Sequence, residues 1–258
     1  MKIALVAHDL HEHGGHSLYT RILADNLSLR HQVTVFANRH ERPLEPRWNS
    51  YHVRAWRKNA LVTVQTFPLG VRRLASRLDG FDIRHMQGYC GGNPNVVTAH
   101  ICVAAYLDSL RGVSWRHRLA LQLMANAESR FYRRYQGRMI AVSSKIAREL
   151  REFYDVAGSI TVIPHGVDAV RFNNDCQDRC VTVRRQLGIG DREKMILYVG
   201  DLTKAHVYLK ELARAAPWAT LVIVTYSQAY RWKSGNVRIL SSTRELASYY
   251  GAADAFVF

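Results

Sequence analysis

A chain of 258 residues with 48% hydrophobic and 22% charged content can bury one large core or two modest ones, which excludes a disordered or low-complexity protein. No apolar run approaches membrane-spanning length, the opening Met-Lys-Ile-Ala-Leu-Val-Ala runs into His8-Asp9 like a first strand, and Cys90, Cys102, Cys176 and Cys180 lack disulfide-framework spacing, so a cytoplasmic protein with reduced thiols is expected. The net charge of +15 is lopsided: 23 Lys and Arg stand against 12 Asp and Glu in residues 1–167, and 13 against 9 in residues 168–258. It suits an anionic partner, whether phospholipid surface, polyprenyl phosphate, lipopolysaccharide core or nucleic acid, and equally the plainer reading of a solvated arginine-rich face.

Ile3 to Ala7 reads as the first strand. Leu10-His11-Glu12-His13-Gly14-Gly15-His16 follows, then a helix with Leu18, Ile22, Leu23 and Leu27 on one side. Gly14 and Gly15 at the start of that helix let backbone amides and the positive helix end approach a ligand closely, although a purely structural turn carries the same pair. His8, His11, His13 and His16 raise the question of zinc or nickel. No cysteine or second carboxylate cluster joins them, so no metal site is predicted and cleft-lining or solvated histidines are expected.

Gln32 to Ala37 is the second strand, and the Arg-, Pro- and Trp-rich residues 39–58 form an excursion with a short strand at Tyr51 to Ala55. From Pro68 a helix places Val71, Leu74, Ala75 and Leu78 on one face beside Arg72, Arg73 and Arg77, suited to packing on its own sheet or to lying on an anionic membrane. Phe81 to His85 is the next strand. Val96 to His100 is another, and it places His100 at the end of a strand, where open α/β sheets present ligand-contacting groups. A satisfied cap is the alternative role for that imidazole. Residues 111–138 mix arginines with Trp115, Phe131, Tyr132 and Tyr135 around the single acid Glu128, which suits lipid headgroups or a helical hairpin whose stripe Leu119, Leu123 and Met124 is core. Nucleic acid is not expected as a partner, because no recognition fold accompanies the charge.

Met139 to Val142 is a buried strand, Ser143 or Ser144 caps a helix with Ile146, Leu150 and Phe153 on one face, and Thr161 to Ile163 is a strand stopped by Pro164 and Gly166. Cys176 and Cys180 lie in a polar linker without further ligands nearby, so free thiols are expected. Met195 to Val199 ending on Gly200, a helix with Leu209, Leu212 and Ala213, Ala219 to Thr225, Asn236 to Leu240, a helix at Glu245 to Tyr250 and a strand toward Phe258 make a Rossmann-like β-α repeat.

Ala141-Val142-Ser143, the string Val162-Ile163-Pro164-His165-Gly166-Val167-Asp168, and Arg171-Phe172 resemble the inter-lobe segment of the group 1 (family 4) retaining glycosyltransferases, whose usual string has Asn where His165 stands. The resemblance implies an α/β fold of GT-B type: two Rossmann-like lobes with mostly parallel sheets across a cleft, an acceptor-side lobe over residues 1–165 and a nucleotide-sugar-binding lobe over residues 166–258. It implies sugar transfer with retention from a nucleoside diphosphate donor to a glycan or lipid-linked acceptor, without a cofactor, in the cytoplasm or at the inner membrane face. It assigns His100 as catalytic beside the donor sugar, Gly200 and Lys204 to the diphosphate, and Gly14 and Gly15 to the acceptor-side cleft loop.

Three departures accompany it. Asp201 stands where the family has Arg, with Lys204 serving as the family's Lys only through a shortened loop, and Ala205 in place of a glycine. Thr225-Tyr226-Ser227 replaces a glycine-containing turn, and Phe258 falls where relatives continue into a helix bearing a glutamate pair that Glu193, Glu211 and Glu245 do not replace. The second lobe is therefore expected to be incomplete and the chain to be roughly two thirds of such an enzyme. The alternative is a non-catalytic protein of that fold whose basic first lobe binds an anionic ligand or membrane surface.

Overall fold

The computed structural model describes residues 1–10, 15–40, 47–56, 60–110, 114–173, 177–225, 232, 234–241, 243 and 245–258, apart from the side chains of residues 39, 40, 60, 61, 177, 178, 203 and 204. The chain divides into two compact units, Met1–His165 and Gly166–Phe258.

In chain order the first unit contains β1 (Lys2–Val6), β2 (Asp9–Leu10), α1 (Gly15–Ser28), β3 (Gln32–Ala37), β4 (Arg39–His40), β5 (Asn49–His52), α2 (Ala60–Arg72) and α3 (Ala75–Leu78). It continues with β6 (Ile83–Gln87), β7 (Val96–Ala99), α4 (Val103–Ser109), α5 (Trp115–Arg134), β8 (Arg138–Ala141), α6 (Ser144–Tyr154) and β9 (Ile160–Val162). Seven of these strands form one sheet in the order β5-β3-β1-β6-β7-β8-β9, every neighbouring pair parallel. A parallel sheet is covered on both faces, so its strands are apolar on both. Accordingly Ala4 and Val6 join Phe36, Met86 and Val97 in one cluster, while Ile3 and Leu5 join Val33, Val35 and Trp48 on the other side.

The second unit repeats the plan with α7 (Gln177–Gln186), β10 (Lys194–Val199), α8 (Leu202–Ala215), β11 (Ala219–Thr225), β12 (Val237–Ser241), α9 (Leu246–Ala252) and β13 (Ala255–Val257). Its parallel sheet runs β12-β11-β10-β13. Asp254 ties β13 to β10: its carboxylate accepts from the Met195 amide and from Lys194 Nζ, both at 2.9 Å. The Lys194 bond, then the amide, holds the Asp254 carboxyl down at about 2.

Several expected helix faces are turned. In α1 the buried residues are Ser17, Thr20 and Ala24, small side chains that let the helix lie close to the sheet, and Leu18 and Ile22 face outward. In α6 Ser143 is the cap, its Oγ accepting from the Ile146 amide at 3.2 Å. The buried set is Ile146, Ala147, Leu150 and Tyr154, leaving Phe153 exposed. The helix expected from Pro68 starts eight residues earlier, at Ala60, and carries Pro68 inside it. There Gly91 (φ +79°) packs so closely that a Cβ would come within 2.8 Å of Pro68 Cβ. In α5 the buried face is Leu121, Ala125, Glu128 and Tyr132; of the alternative core stripe, Met124 packs on a core cluster while Leu119 and Leu123 are 52% and 55% exposed.

Candidate functional site

Strand order fixes where a ligand is met. From β1 the chain builds outward through β3 and β5, then returns to lay β6 on the other side of β1. Loops leaving β1 and β6 therefore diverge at their C-terminal ends, opening the crevice in which doubly wound sheets bind ligands. His8 follows β1, Gln87 ends β6, His100 follows β7 and His165 follows β9, so four strands deliver polar side chains to one edge of the sheet. Gly88, at φ +75°, turns the chain directly after Gln87, a conformation that a side chain would strain.

Helix α1 brings His16 and Tyr19 to the same place. The His100 ring lies 4.5 Å from that of His16, 5.0 Å from that of Tyr19 and 5.4 Å from that of His165, and Tyr19 and His165 are 4.9 Å apart, centroid to centroid. Gln87 organises the group. Its side-chain Oε1 accepts from His100 Nε2 at 2.9 Å, and its backbone carbonyl accepts from His16 Nε2 at 3.3 Å. His8 Nε2 donates to the Tyr89 carbonyl at 3.0 Å, with its ring 4.6 Å from Phe67.

These contacts fix protonation. With Nε2 as donor, His100 presents Nδ1 as a lone-pair acceptor, and that atom is buried without a partner among the described residues, as is the donor Nε2 of Gln87. Burial, then the neighbouring His16, His165 and His85 imidazoles, lowers His100 to about 3, and burial foremost lowers His8 to about 4. His165 is lowered by the same desolvation. His8, His100 and His165 are thus neutral near pH 7. A buried polar atom left without a partner is costly in a finished interior. Among the described residues no three His, Cys, Asp or Glu side chains are grouped to hold a metal ion. His11 and His13 lie outside those residues.

The cluster borders a cavity of about 410 Å³, lined by His8, His16, Gln87 and His100 and walled largely by apolar side chains of α2, α4 and α5. Glu128 also lines it. Its carboxylate accepts from the Val103 amide at 3.0 Å and from Tyr154 Oη at 2.5 Å, joining α5 to α4 and α6. Burial raises this carboxyl to about 7 against the pull of those two bonds.

Of the sequence-predicted residues, His100 lies within this cluster, while Gly14 lies outside the described residues. Gly15 opens α1, and a Cβ there would meet no described atom within 4 Å, so the fold itself does not demand a glycine. In the second unit Gly200 follows β10. A Cβ on it would come within 2.8 Å of Tyr198 Oη, which donates to the Asp201 carbonyl at 3.2 Å, so the glycine has a packing reason of its own. Asp201 immediately precedes α8, where a carboxylate is favoured by the helix dipole. The side chain of Lys204 is outside the described residues.

Gln87, Tyr19 and Glu128 were not legible as site residues, and His165 read only as a departure from a motif. One signal was available: Tyr19 is three residues after His16 and so shares its helix face.

The α/β fold with its all-parallel sheets matches that of GT-B glycosyltransferase structures. Residues 13–171 match the family described as Glycosyltransferase Family 4, and the chain belongs to that family. Among curated proteins, none matches the chain by sequence. Among solved structures it is similar to WaaG, a glycosyltransferase involved in lipopolysaccharide biosynthesis, at 16% identity and a TM-score of 0.82, over 98% of this chain and 74% of that one. It is also similar to HepE of Anabaena, solved with UDP and glucose, at 14% identity and a TM-score of 0.67, over 99% of this chain and 73% of that one. A UDP-N-acetylglucosamine 2-epimerase from Rickettsia bellii shares 8% identity at a TM-score of 0.54, over 99% of this chain and 73% of that one. At such identities the likeness is one of fold. Among the described residues no helix is long and apolar enough to cross a membrane.

Proposed function

We propose that the protein transfers a sugar, with retention at the anomeric carbon, from a nucleoside diphosphate donor to a glycan or lipid-linked acceptor. Residues 1–165 then serve the acceptor side and residues 166–258 the nucleotide sugar, without a metal or other cofactor. The observation that carries this reading is the His100 imidazole, neutral, oriented by Gln87 and with Nδ1 unpartnered at the strand end.

As the diphosphate leaves, the sugar ring gains positive character. A protonated imidazole beside it would oppose that charge, whereas a neutral one accepts a hydrogen bond from a sugar hydroxyl and does not. His100 is held neutral by burial. Negative charge builds on the departing diphosphate, to which Gly200, Lys204 and the start of α8 are assigned. Gly14 and Gly15 are assigned to the acceptor loop, Gly15 standing at the start of α1.

Cytoplasmic residence with contact at the inner membrane face belongs to the same proposal. Helix α5 supports it, with five arginines against the single acid Glu128 and an exposed Trp115. The same helix is the observation behind the second reading, a non-catalytic protein docked on an anionic surface.

Thermal denaturation with nucleoside diphosphates and their sugar conjugates tests the donor half. A rise in melting temperature with at least one base is expected, since a ligand that binds only the folded state stabilises it. No rise with any of them, together with salt-sensitive sedimentation on acidic liposomes, would leave the second reading in its place.

A further inference from the structure

We propose that the acceptor is an amphiphile whose hydroxylated head reaches the His100 corner of the cavity and whose apolar chain runs out along α5 over Leu123, Leu119 and Trp115. The proposal rests on the sugar-transfer reading and names the acceptor class.

Two independent features carry it. The first is the cavity, whose size of about 410 Å³ suits a small ligand. Val64, Ile101, Val103, Leu123, Met124 and Ala127 supply its apolar wall, with His8, His16, Gln87 and His100 at one corner and Gln65 and Glu128 among the helical residues. A soluble glycan carries hydroxyls on every side, and most would be buried there without partners. An alkyl or prenyl chain has none to satisfy.

The second is the stripe on α5. Trp115, Leu119 and Leu123 are 70%, 52% and 55% exposed and recur every four residues, so they share one helix face. Leu123 also belongs to the cavity wall, which makes the outer stripe and the inner wall continuous. Arg116 and Arg118 flank the stripe, and no acidic residue occurs between Trp115 and Ala127. A chain entering from a lipid aggregate would thus meet the apolar stripe of α5, flanked by positive charge, before it reaches the cavity.

A homologous series tests it: methyl, hexyl, octyl and decyl glucoside, each below its micelle concentration, titrated calorimetrically into the intact protein. Affinity should rise with chain length, by up to about fourfold per methylene that enters, with an increasingly negative heat-capacity change. Ala127→Trp, which fills the cavity, should flatten the series. Leu119→Asp, at an exposed position that does not threaten folding, should remove the gain from octyl to decyl. Equal affinity across the series would overturn the proposal, as would a chain-length gain untouched by Leu119→Asp. Nucleoside diphosphate stabilisation is scored on the same samples. If it persists while the series is flat, the acceptor class is wrong and sugar transfer stands. Amphiphile binding without any nucleotide response would remove the transfer reading itself, and with it the acceptor role.

Discussion

Gln87 holds His100: Oε1 of the fully buried glutamine accepts the Nε2 hydrogen of the imidazole at 2.9 Å, so the ring is fixed in both orientation and tautomer. Gln87→Leu removes the acceptor while keeping the apolar bulk. The expected outcome is a loss of about ten- to a hundredfold in turnover with a little-changed acceptor KM, because the imidazole is no longer held in one tautomer. A parallel rise in KM without a fall in turnover would mean that Gln87 shapes the cavity and nothing more.

Acid should destabilise the first unit. Burial lowers His8 and His85 to about 4 and His100 to about 3 from an ordinary 6.5. The unfolded chain takes up these protons below pH 6.5 and the folded one does not, so stability present at neutral pH is lost as pH falls from 6.5 toward about 4. Melting temperatures from pH 7 to pH 4.5 should fall accordingly. His85→Asn, which can still bond to Thr98 Oγ1, should shallow the slope.

Glu128 works in the opposite sense. Its carboxyl is raised from 4.5 to about 7 by burial, so the folded state keeps a proton that the unfolded state has released. Its contribution is complete below pH 4.5 and is lost as pH rises to about 7, at a penalty on the order of 3 kcal/mol by the conversion of a pKa difference to free energy. Glu128→Gln, whose amide oxygen still accepts from Val103 and Tyr154, should match the parent at pH 4.5 and exceed it at pH 8 in chemical denaturation. Equal stability of the two proteins at both pH values would contradict the buried carboxyl.

The second unit hangs on one carboxylate. Asp254→Asn weakens the bonds to Lys194 and the Met195 amide that close β13 onto β10, and should cost about 1 kcal/mol once solvent screening is allowed for. Hydrogen exchange at β13 amides should rise first. Uniform exchange across both units would indicate a different tie.

Strands were readable because parallel strands are apolar on both faces and interrupted by Gly and Pro, and His100 was readable because it closes such a strand. Helix faces were not. Leu119, Leu121, Leu123 and Met124 put apolar groups on more than one side of α5, so the sequence alone does not choose between Leu119/Leu123 and Leu121/Ala125 as the buried face. The choice is made by Glu128 and Tyr132, which continue the second set and reach Val103, Tyr154 and the core. The site shows the same division. His16, Gln87 and His165 are far from His100 in sequence and meet it only because the return from β5 to β6 brings their strands and α1 to one edge.

The His100 imidazole is proposed to meet the sugar of a nucleotide donor. Saturation-transfer NMR on a nucleotide sugar reports separately on base and sugar protons. Transfer to both is expected in the parent protein and, in His100→Ala, retained transfer to the base protons with loss at the sugar ring. Unaltered transfer to the sugar protons in that variant would remove His100 from the donor site.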